Sequence, residues 1–212
     1  MLLASTMPHT EIVDVISLLA RRKLMTRGVK LTVMLAAFAL MVGLSIPTNG
    51  DSDDRAKAEK KRVQQGFDIA PVPLDFKTKD RDLVGVGSYI VNAQAACGDC
   101  HTCPTYAPGH NPFQGGDGKI NATNYLAGGV PFGPIVSANI TPDSSGKPAG
   151  LDFDEYLELI RTGHDPDEPN HILQVMPWPI FRNMNDRDIL AIYTYLSSIP
   201  HAEPGNCTGP GQ

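Results

Sequence analysis

One stretch of five residues, Cys97–His101, constrains this chain more than any other part of the sequence. It reads CGDCH, two cysteines separated by two residues and followed at once by histidine, which is typical of covalent attachment to haem c. In that chemistry the two thiols add to the vinyl groups of the haem and the histidine binds the iron. The sequence therefore predicts one covalently bound haem c, held by Cys97 and Cys100, with His101 as an axial ligand.

The amino-terminal region contains an apolar segment that suits export, residues 31–46, which reads LTVMLAAFALMVGLSI. Basic residues precede it and acidic residues follow it, an order that predicts a cytoplasmic amino terminus and export of everything after Asp51. The segment is long for a signal-peptide core and short for a membrane span. We therefore predict a cytoplasmic segment over residues 1–30, or a true start at Met25, and a membrane anchor or signal peptide over residues 31–47.

The expected location of the protein follows from this apolar segment. An uncleaved helix would hold the protein at the inner membrane, facing the bacterial periplasm, whereas cleavage would release it as a soluble periplasmic protein. Residues 48–79, which are charged and then rich in proline, are predicted to be a linker between that segment and a globular domain over residues 80–212.

Charge is distributed unevenly along the sequence. Residues 1–50 contain five basic and two acidic residues, a net charge of +3, while the whole chain carries −5, so residues 51–212 carry −8. This excess of acid argues against nucleic acid as a partner, because a phosphate backbone requires a basic surface. It is compatible with docking to a basic patch on another redox protein.

Three amphipathic helices are predicted after the linker. The first covers residues 80–95 and leads into the haem motif, with Gly87 on its apolar face, where a glycine permits close approach of another helix. The second covers residues 152–161 and begins with a capping-box pair, and the third covers residues 185–198. Between the first two helices, residues 128–143 form an apolar, Pro-containing loop that is predicted to wrap a flat ligand.

The iron needs a second axial ligand, and a methionine thioether suits an electron carrier because it raises the reduction potential. After the haem motif the sequence contains two methionines, Met176 and Met184. Met184 is predicted to pack against Ile189 as a hydrophobic staple at the start of the third helix. That leaves Met176, in the Pro-bounded MPWP loop, as the predicted ligand. A histidine is the alternative, with His110, His164, His171 and His201 available and His171 the best candidate among them.

Two further cysteines, Cys103 and Cys207, leave a second interpretation open. If haem takes the cysteines of the CGDCH motif, these two are expected to pair as a disulfide in an oxidising compartment. Alternatively, all four thiols, those of Cys97, Cys100, Cys103 and Cys207, hold an iron–sulfur cluster, because the first three are spaced C-x2-C-x2-C, or they hold zinc. The histidine in the haem position and the loop methionine favour haem.

The order of motifs along the chain resembles that of a known family. The set consists of a Gly-x-Tyr helix, CGDCHT, NITPD, MPW and a closing helix with Tyr-x-Tyr-Leu (Gly87 and Tyr89, then residues 97–102, 139–143, 176–178 and 193–196). Over residues 80–200 this pattern is similar to mono-haem class I cytochromes c. More narrowly, it is similar to the haem domains in cytochrome c subunits of membrane-bound alcohol and aldehyde dehydrogenases.

The resemblance implies an all-α fold, the class I cytochrome c fold, in which three or more helices and long loops surround one covalently attached haem. It also implies that the first and last helices cross near the edge of the haem, with Gly87 and Tyr193 as candidates for the crossing. Such dehydrogenase subunits usually carry several CxxCH motifs, whereas this chain has one.

The resemblance further implies a one-electron carrier that is not itself an enzyme. His101 and Met176 would fill both axial positions of the iron, which leaves no open position for a substrate. The expected partners are redox proteins of a respiratory or dehydrogenase chain, namely a dehydrogenase, an oxidase or another cytochrome. The alternative is a haem subunit inside a dehydrogenase complex. A gas sensor would require displacement of Met176 from the iron.

Overall fold

The computed structural model describes residues 49–168 and 170–207. The predicted cytoplasmic segment and the predicted anchor or signal peptide, residues 1–47, lie outside this part of the chain. Within the described residues no helix combines the length and the apolar character needed to cross a membrane. The chain divides into two compact units, residues 1–53 and 54–212, and the packing described below lies within the second.

The described residues form mainly helices and loops, in agreement with the prediction of a helical fold. The α-helices are, in chain order, α1 (Asn49–Ile69), α2 (Arg81–Tyr89), α3 (Cys97–His101), α4 (Phe153–Thr162), α5 (Trp178–Phe181) and α6 (Asp186–Leu196).

Three shorter elements accompany these helices. A π-helical turn, Ile90–Gln94, continues α2, and a 3-10 turn, Pro112–Gln114, lies in the loop after α3. Two strands of two residues each, β1 (Pro131–Phe132) and β2 (Ile135–Val136), form an antiparallel hairpin with Pro131 opposite Val136. The hairpin belongs to the loop that the sequence predicted to wrap a ligand.

The three predicted helices form, and each begins with the cap that its sequence provides. The Asp80 carboxylate accepts a hydrogen bond from the backbone N–H of Asp82 at 2.8 Å, which starts α2. Asp152 and Glu155 form the predicted capping box of α4, and Asn185 caps α6. These caps stabilise the helices because the first backbone N–H groups of a helix have no partner within it.

Helices α2 and α6 cross at Gly87, as the sequence predicts. A Cβ at this position would overlap the carbonyl oxygen of Ala191 and the side chain of Tyr195. The prediction for Tyr193 is wrong, because its hydroxyl turns away from the crossing and donates to the carbonyl oxygen of Leu151 at 3.0 Å. Two residues apart on a helix, Tyr193 and Tyr195 point in nearly opposite directions, and Tyr195 is the one that faces α2.

The segment predicted as a linker, residues 48–79, instead contains helix α1, which packs against α2. Val63 is 9% exposed, and a Cβ at Gly66 would overlap the backbone of Gly85. The carbonyl oxygen of Gly66 also accepts a hydrogen bond from the Ser88 hydroxyl at 2.6 Å. The charged composition concealed this packing, since α1 buries only a narrow stripe and its other faces carry charge.

A buried group of hydrogen bonds joins the π-helical turn, the loop before β1 and α6. The Tyr125 hydroxyl donates to Asn92 Oδ1 at 2.5 Å and lies 2.9 Å from the Tyr195 hydroxyl. The Asn92 amide donates in turn to the carbonyl oxygen of Ser88 at 3.0 Å. Burial raises the pKa of Tyr125 well above its ordinary value, so its phenol remains neutral. Helical periodicity did not predict this network, because it joins residues that are far apart in the sequence.

The substitution Gly87→Ala should lower the free energy of unfolding by about 1–3 kcal/mol, because the added methyl group must push α2 away from α6. Urea unfolding of the purified protein measures the change. Gly98→Ala is the matched control, since Gly98 is also helical but a Cβ there meets only Thr102 Oγ1, at 3.6 Å. Equal stability of the two variants would contradict the close crossing at Gly87.

Candidate functional site

A cavity of about 440 Å³ lies among α3, α4, α6, the β-hairpin and the loop before α5. Its volume is within the range of about 300–1,000 Å³ that is usual for small-molecule and cofactor sites. The lining includes all four residues that the sequence predicted to hold the cofactor, which are Cys97, Cys100, His101 and Met176. Most other lining side chains are apolar (Phe132, Ile135, Leu159, Ile160, Phe181, Ile189, Ile192 and Leu196 among them).

His101 is oriented by a hydrogen bond on one side of its imidazole ring. The Nδ1 atom lies 2.8 Å from the carbonyl oxygen of Ala138, so this nitrogen carries the proton and donates it. The Nε2 atom has no hydrogen-bond partner among the described residues, and its lone pair is available to a metal. Burial lowers the pKa of His101, although the Ala138 carbonyl opposes the shift. A neutral imidazole that donates Nδ1–H to a backbone carbonyl is the usual state of a metal-binding histidine.

The loop that carries Ala138 is held beside the CGDCH motif by the backbone of Gly128. The Gly128 N–H donates to the carbonyl oxygen of His101 at 2.7 Å, and its φ of 75° lies in the left-handed region. A Cβ at Gly128 would also overlap the backbone of Ala138, so only glycine fits this position. The wrapping loop predicted over residues 128–143 thus borders the cavity.

The carboxyl-terminal residues 199–207 form a strap that runs across this loop. The Asn139 amide, next to Ala138, donates to the carbonyl oxygen of Ala202 at 2.8 Å. Near its end the strap is joined to Cys103 by a disulfide from Cys207, with the two Cα atoms 5.5 Å apart. The strap therefore ties the wrapping loop to the residues that follow the haem motif.

The other two cysteines, Cys97 and Cys100, are free and partly buried. Burial raises the pKa of the Cys97 thiol to about 12 and shifts that of Cys100 in the same direction. In the part of the chain that the structure describes, no three His, Cys, Asp or Glu side chains are arranged to hold a metal ion. In the structure Cys103 and Cys207 are bonded to each other, so these two thiols do not stand free beside Cys97 and Cys100 to hold a four-thiol cluster or zinc.

Met176 is held between two tight turns of the backbone. Its N–H donates to the carbonyl oxygen of Gln174 at 2.7 Å, which closes a γ-turn around Val175 with a φ of 70°. Its own carbonyl oxygen accepts from the Trp178 N–H at 2.8 Å, which closes an inverse γ-turn around Pro177. A β-branched residue at positive φ is strained, and such strain persists where the surrounding structure fixes the backbone. The conformation of the chain on both sides of Met176 is therefore closely specified.

Met184 and His171, the alternatives to Met176, line the same cavity. Met184 packs against the buried core that includes Ile189, in agreement with the predicted staple. The His171 ring is half exposed, and its Nδ1 atom lies 3.7 Å from the Glu168 carboxylate. Met176 packs against the same core, so packing by itself does not distinguish the two methionines.

Arg161, which the sequence did not single out, ties the end of α4 to the segment that follows Met176. Its guanidinium donates to the carbonyl oxygen of Arg182, to that of Met184 at 2.7 Å, and to the Asp186 carboxylate at 2.5 Å. These acceptors lie between the end of α5 and the start of α6, where backbone carbonyls lack helical partners. The only signal in the sequence was a basic residue in the last turn of a helix, which is too common to identify this role.

The substitution Arg161→Gln should lower the free energy of unfolding by about 2 kcal/mol, because two carbonyl oxygens and a carboxylate lose a charged donor. The effect should be local, so amide hydrogen exchange should accelerate in peptides over residues 170–185 more than in α2. Arg161→Lys keeps one charged donor and should restore part of the protection.

Arg187→Gln provides the control for this experiment. Arg187 pairs with Glu59 of α1 and not with the segment around Met176. If amide exchange over residues 170–185 accelerates equally in Arg161→Gln and Arg187→Gln, then Arg161 does not stabilise that segment specifically.

Comparisons with known proteins give relatives but no family match. No protein-family model matches the chain. The chain is 38% identical to a nicotinate dehydrogenase subunit of Pseudomonas putida over 104 residues, 49% of this chain and 8% of that protein. It is 31% identical to the gluconate 2-dehydrogenase cytochrome c subunit of Pantoea cypripedii over 114 residues, 54% of this chain and 22% of the relative.

A third relative aligns over more of the chain. The cytochrome c subunit of the quinone alcohol dehydrogenase of Gluconacetobacter polyoxogenes is 28% identical over 176 residues, 81% of this chain and 28% of that subunit. The chain thus spans less than a third of the length of each of these three relatives. All three are named as dehydrogenase subunits and two of them as cytochrome c subunits, which confirms the resemblance that the order of motifs predicted.

Proposed function

We propose that this chain is a mono-haem c-type cytochrome that carries single electrons and is not itself an enzyme. The observation that supports the proposal best is the convergence of two free thiols, an imidazole with a free Nε2 and a loop methionine on one apolar cavity. Haem c, when bound, supplies an iron that alternates between Fe(III) and Fe(II). The proposed fold is the class I cytochrome c fold over residues 80–212, preceded by α1.

Four side chains and one carbonyl have distinct roles in this proposal. Cys97 and Cys100 would hold the cofactor covalently through thioethers. His101 would bind the iron through Nε2, while the Ala138 carbonyl fixes the orientation of the ring and increases its basicity. Met176 would supply a second ligand to the iron, and a thioether ligand raises the reduction potential. With both of these side chains bound to the iron, no position would be left for a substrate, which fits a carrier rather than a catalyst.

The names of the relatives indicate the class of partner. Each is a subunit of a dehydrogenase, so we infer that this chain exchanges electrons with a dehydrogenase. It does so either as the haem subunit of the complex or as a separate carrier to a respiratory chain. The proposed location is the bacterial periplasm, with residues 31–47 as an inner-membrane anchor or a cleaved signal peptide.

Expression of the full-length chain with the cytochrome c maturation proteins tests the cofactor. We expect haem that stays with the protein after denaturation, because thioether bonds are covalent, and a reduced spectrum with the α-band of a c-type haem. Replacing both Cys97 and Cys100 by alanine should abolish this retention, whereas Asp99→Asn, inside the same motif, should not. A protein that retains no haem, or that holds an iron–sulfur cluster, would refute the proposal.

The substitutions Met176→Ala and Met184→Ala distinguish the two methionines. Met176→Ala should abolish the iron–methionine charge-transfer band and lower the reduction potential by on the order of 100 mV, because a thioether ligand is lost. Met184→Ala and His171→Ala should both keep the band, and Met184→Ala should lower stability by about 2 kcal/mol through lost packing. If the unaltered protein lacks the band, or if Met184→Ala rather than Met176→Ala removes it, Met176 is not the ligand.

The disulfide between Cys103 and Cys207 belongs to the same proposal, since an exported protein folds where thiols are oxidised. Closing a segment with a sequence separation of 104 should stabilise the fold by about 4 kcal/mol. Mass spectrometry after alkylation of the unreduced haem protein should find no free thiol. The variant Cys207→Ser should show one, at Cys103. Two free thiols in the unaltered protein would exclude the disulfide while leaving the haem assignment intact.

A further inference from the structure

Negative charge is concentrated at the opening of the cavity. Asp165, Asp167 and Glu168, in the loop between α4 and α5, line the cavity together with the four cofactor residues. None of the lysine and arginine residues that the structure describes lines it. His171 lies near this loop, with its Nδ1 atom 3.7 Å from the Glu168 carboxylate. Asp167 and Glu168 are exposed, so their charges act on any molecule that approaches the opening.

The arginines in the adjacent segments are engaged with other groups. Arg161, at the end of α4, is paired with Asp186, and Arg182, at the end of α5, lies over the ring of Trp178. Neither side chain is paired with the carboxylates of the loop between them. The negative charge of that loop is therefore not neutralised by its nearest arginines.

Exposed apolar side chains occupy the same opening. Val136, in β2, and Val175, next to Met176, both line the cavity, yet they are 61% and 55% exposed. Apolar side chains of this kind, bordered by polar and charged groups, are typical of surfaces that contact another protein. The apolar part lies beside the proposed iron ligand, where a partner would approach most closely.

We propose that the acidic opening, formed by Val136, Asp165, Asp167, Glu168 and Val175, is the docking surface for a redox protein that presents lysine or arginine side chains around its own redox centre. The inference rests on the proposed function, because it treats the cavity as the haem site. The carboxylates attract a basic surface and orient it, and the two valines provide contact from which water is excluded. A second copy of this chain would be repelled, because its opening carries the same charge.

The net charge of the chain supports the same partner. Residues 51–212 carry −8, so this part of the chain attracts a basic partner over long range, and the acidic opening selects where that partner binds. Long-range attraction raises association rates at low ionic strength and fades as salt is added. The rate of electron transfer to a basic partner should therefore depend on the position of the negative charges as well as on their total number.

The test measures electron transfer from the reduced, haem-loaded, full-length protein to two oxidants of opposite charge, a lysine-rich c-type cytochrome and ferricyanide. The opening variant, with Asp165→Asn, Asp167→Asn and Glu168→Gln, removes three negative charges from the docking surface. At low ionic strength it should slow oxidation by the basic cytochrome about tenfold or more. Oxidation by ferricyanide should become faster, because less negative charge repels the anion.

The control variant carries Asp54→Asn, Asp75→Asn and Asp82→Asn, three exposed positions outside the cavity lining. It changes the net charge equally but should slow the reaction with the basic cytochrome much less than the opening variant does, because its charges lie outside the proposed contact and the Coulomb energy falls with distance. The reduction potential of each variant is measured alongside, which separates a change in driving force from a change in docking.

If both variants are oxidised by the basic cytochrome equally slowly, total charge alone sets the rate. If the opening variant is oxidised at an unchanged rate, the partner docks elsewhere. Either result overturns the docking proposal and leaves the electron-carrier proposal standing. If the proposed function is wrong, the protein will contain no covalently bound haem. In that case the docking proposal, which rests on the proposed function, fails as well.

Discussion

The hydrogen bond from His101 Nδ1 to the Ala138 carbonyl oxygen joins the short helix of the CGDCH motif to the apolar loop that borders the cavity. The orientation of the imidazole depends on the position of the Ala138 carbonyl. That position depends in turn on the contacts that hold the loop in place. Gly128 fixes the start of the loop, and the contact of Asn139 with the carboxyl-terminal strap fixes its end. The strap contributes no residue to the cavity lining, yet it supports the group that orients the proposed iron ligand.

The opposite side of the cavity relies on backbone conformation rather than on a long helix. Met176 sits between two γ-turns, and the Trp178 indole that follows packs on Gly163, where φ is 74° and a Cβ would overlap the ring. Arg161 secures the segment further along. The segment between α4 and α6 is thus attached at both ends, and the exposed carboxylates of Asp167 and Glu168 lie in its first part, before α5. The same segment therefore carries both the proposed iron ligand and a charged surface.

Sequence reasoning succeeded where the physical signal is local. Asp80, Asp152 and Asn185 satisfy backbone N–H groups within one turn, so the helices begin where their caps predict. It failed for α1, because a charged helix with one narrow buried stripe resembles a linker in composition. It also failed for Tyr193, whose position in a motif did not reveal which way its side chain points.

The chemistry that the chain presents can be inferred from its residues alone, because covalent attachment to haem needs two thiols and a histidine at set spacing, and these groups are close together in the sequence. A second ligand could be proposed because only two thioethers follow the motif. Three other relations became visible only in the folded chain: a backbone carbonyl orients the histidine, Arg161 holds the segment that follows Met176, and carboxylates border the cavity opening. Those relations are distances between residues far apart in the chain, and neither spacing nor periodicity encodes such distances.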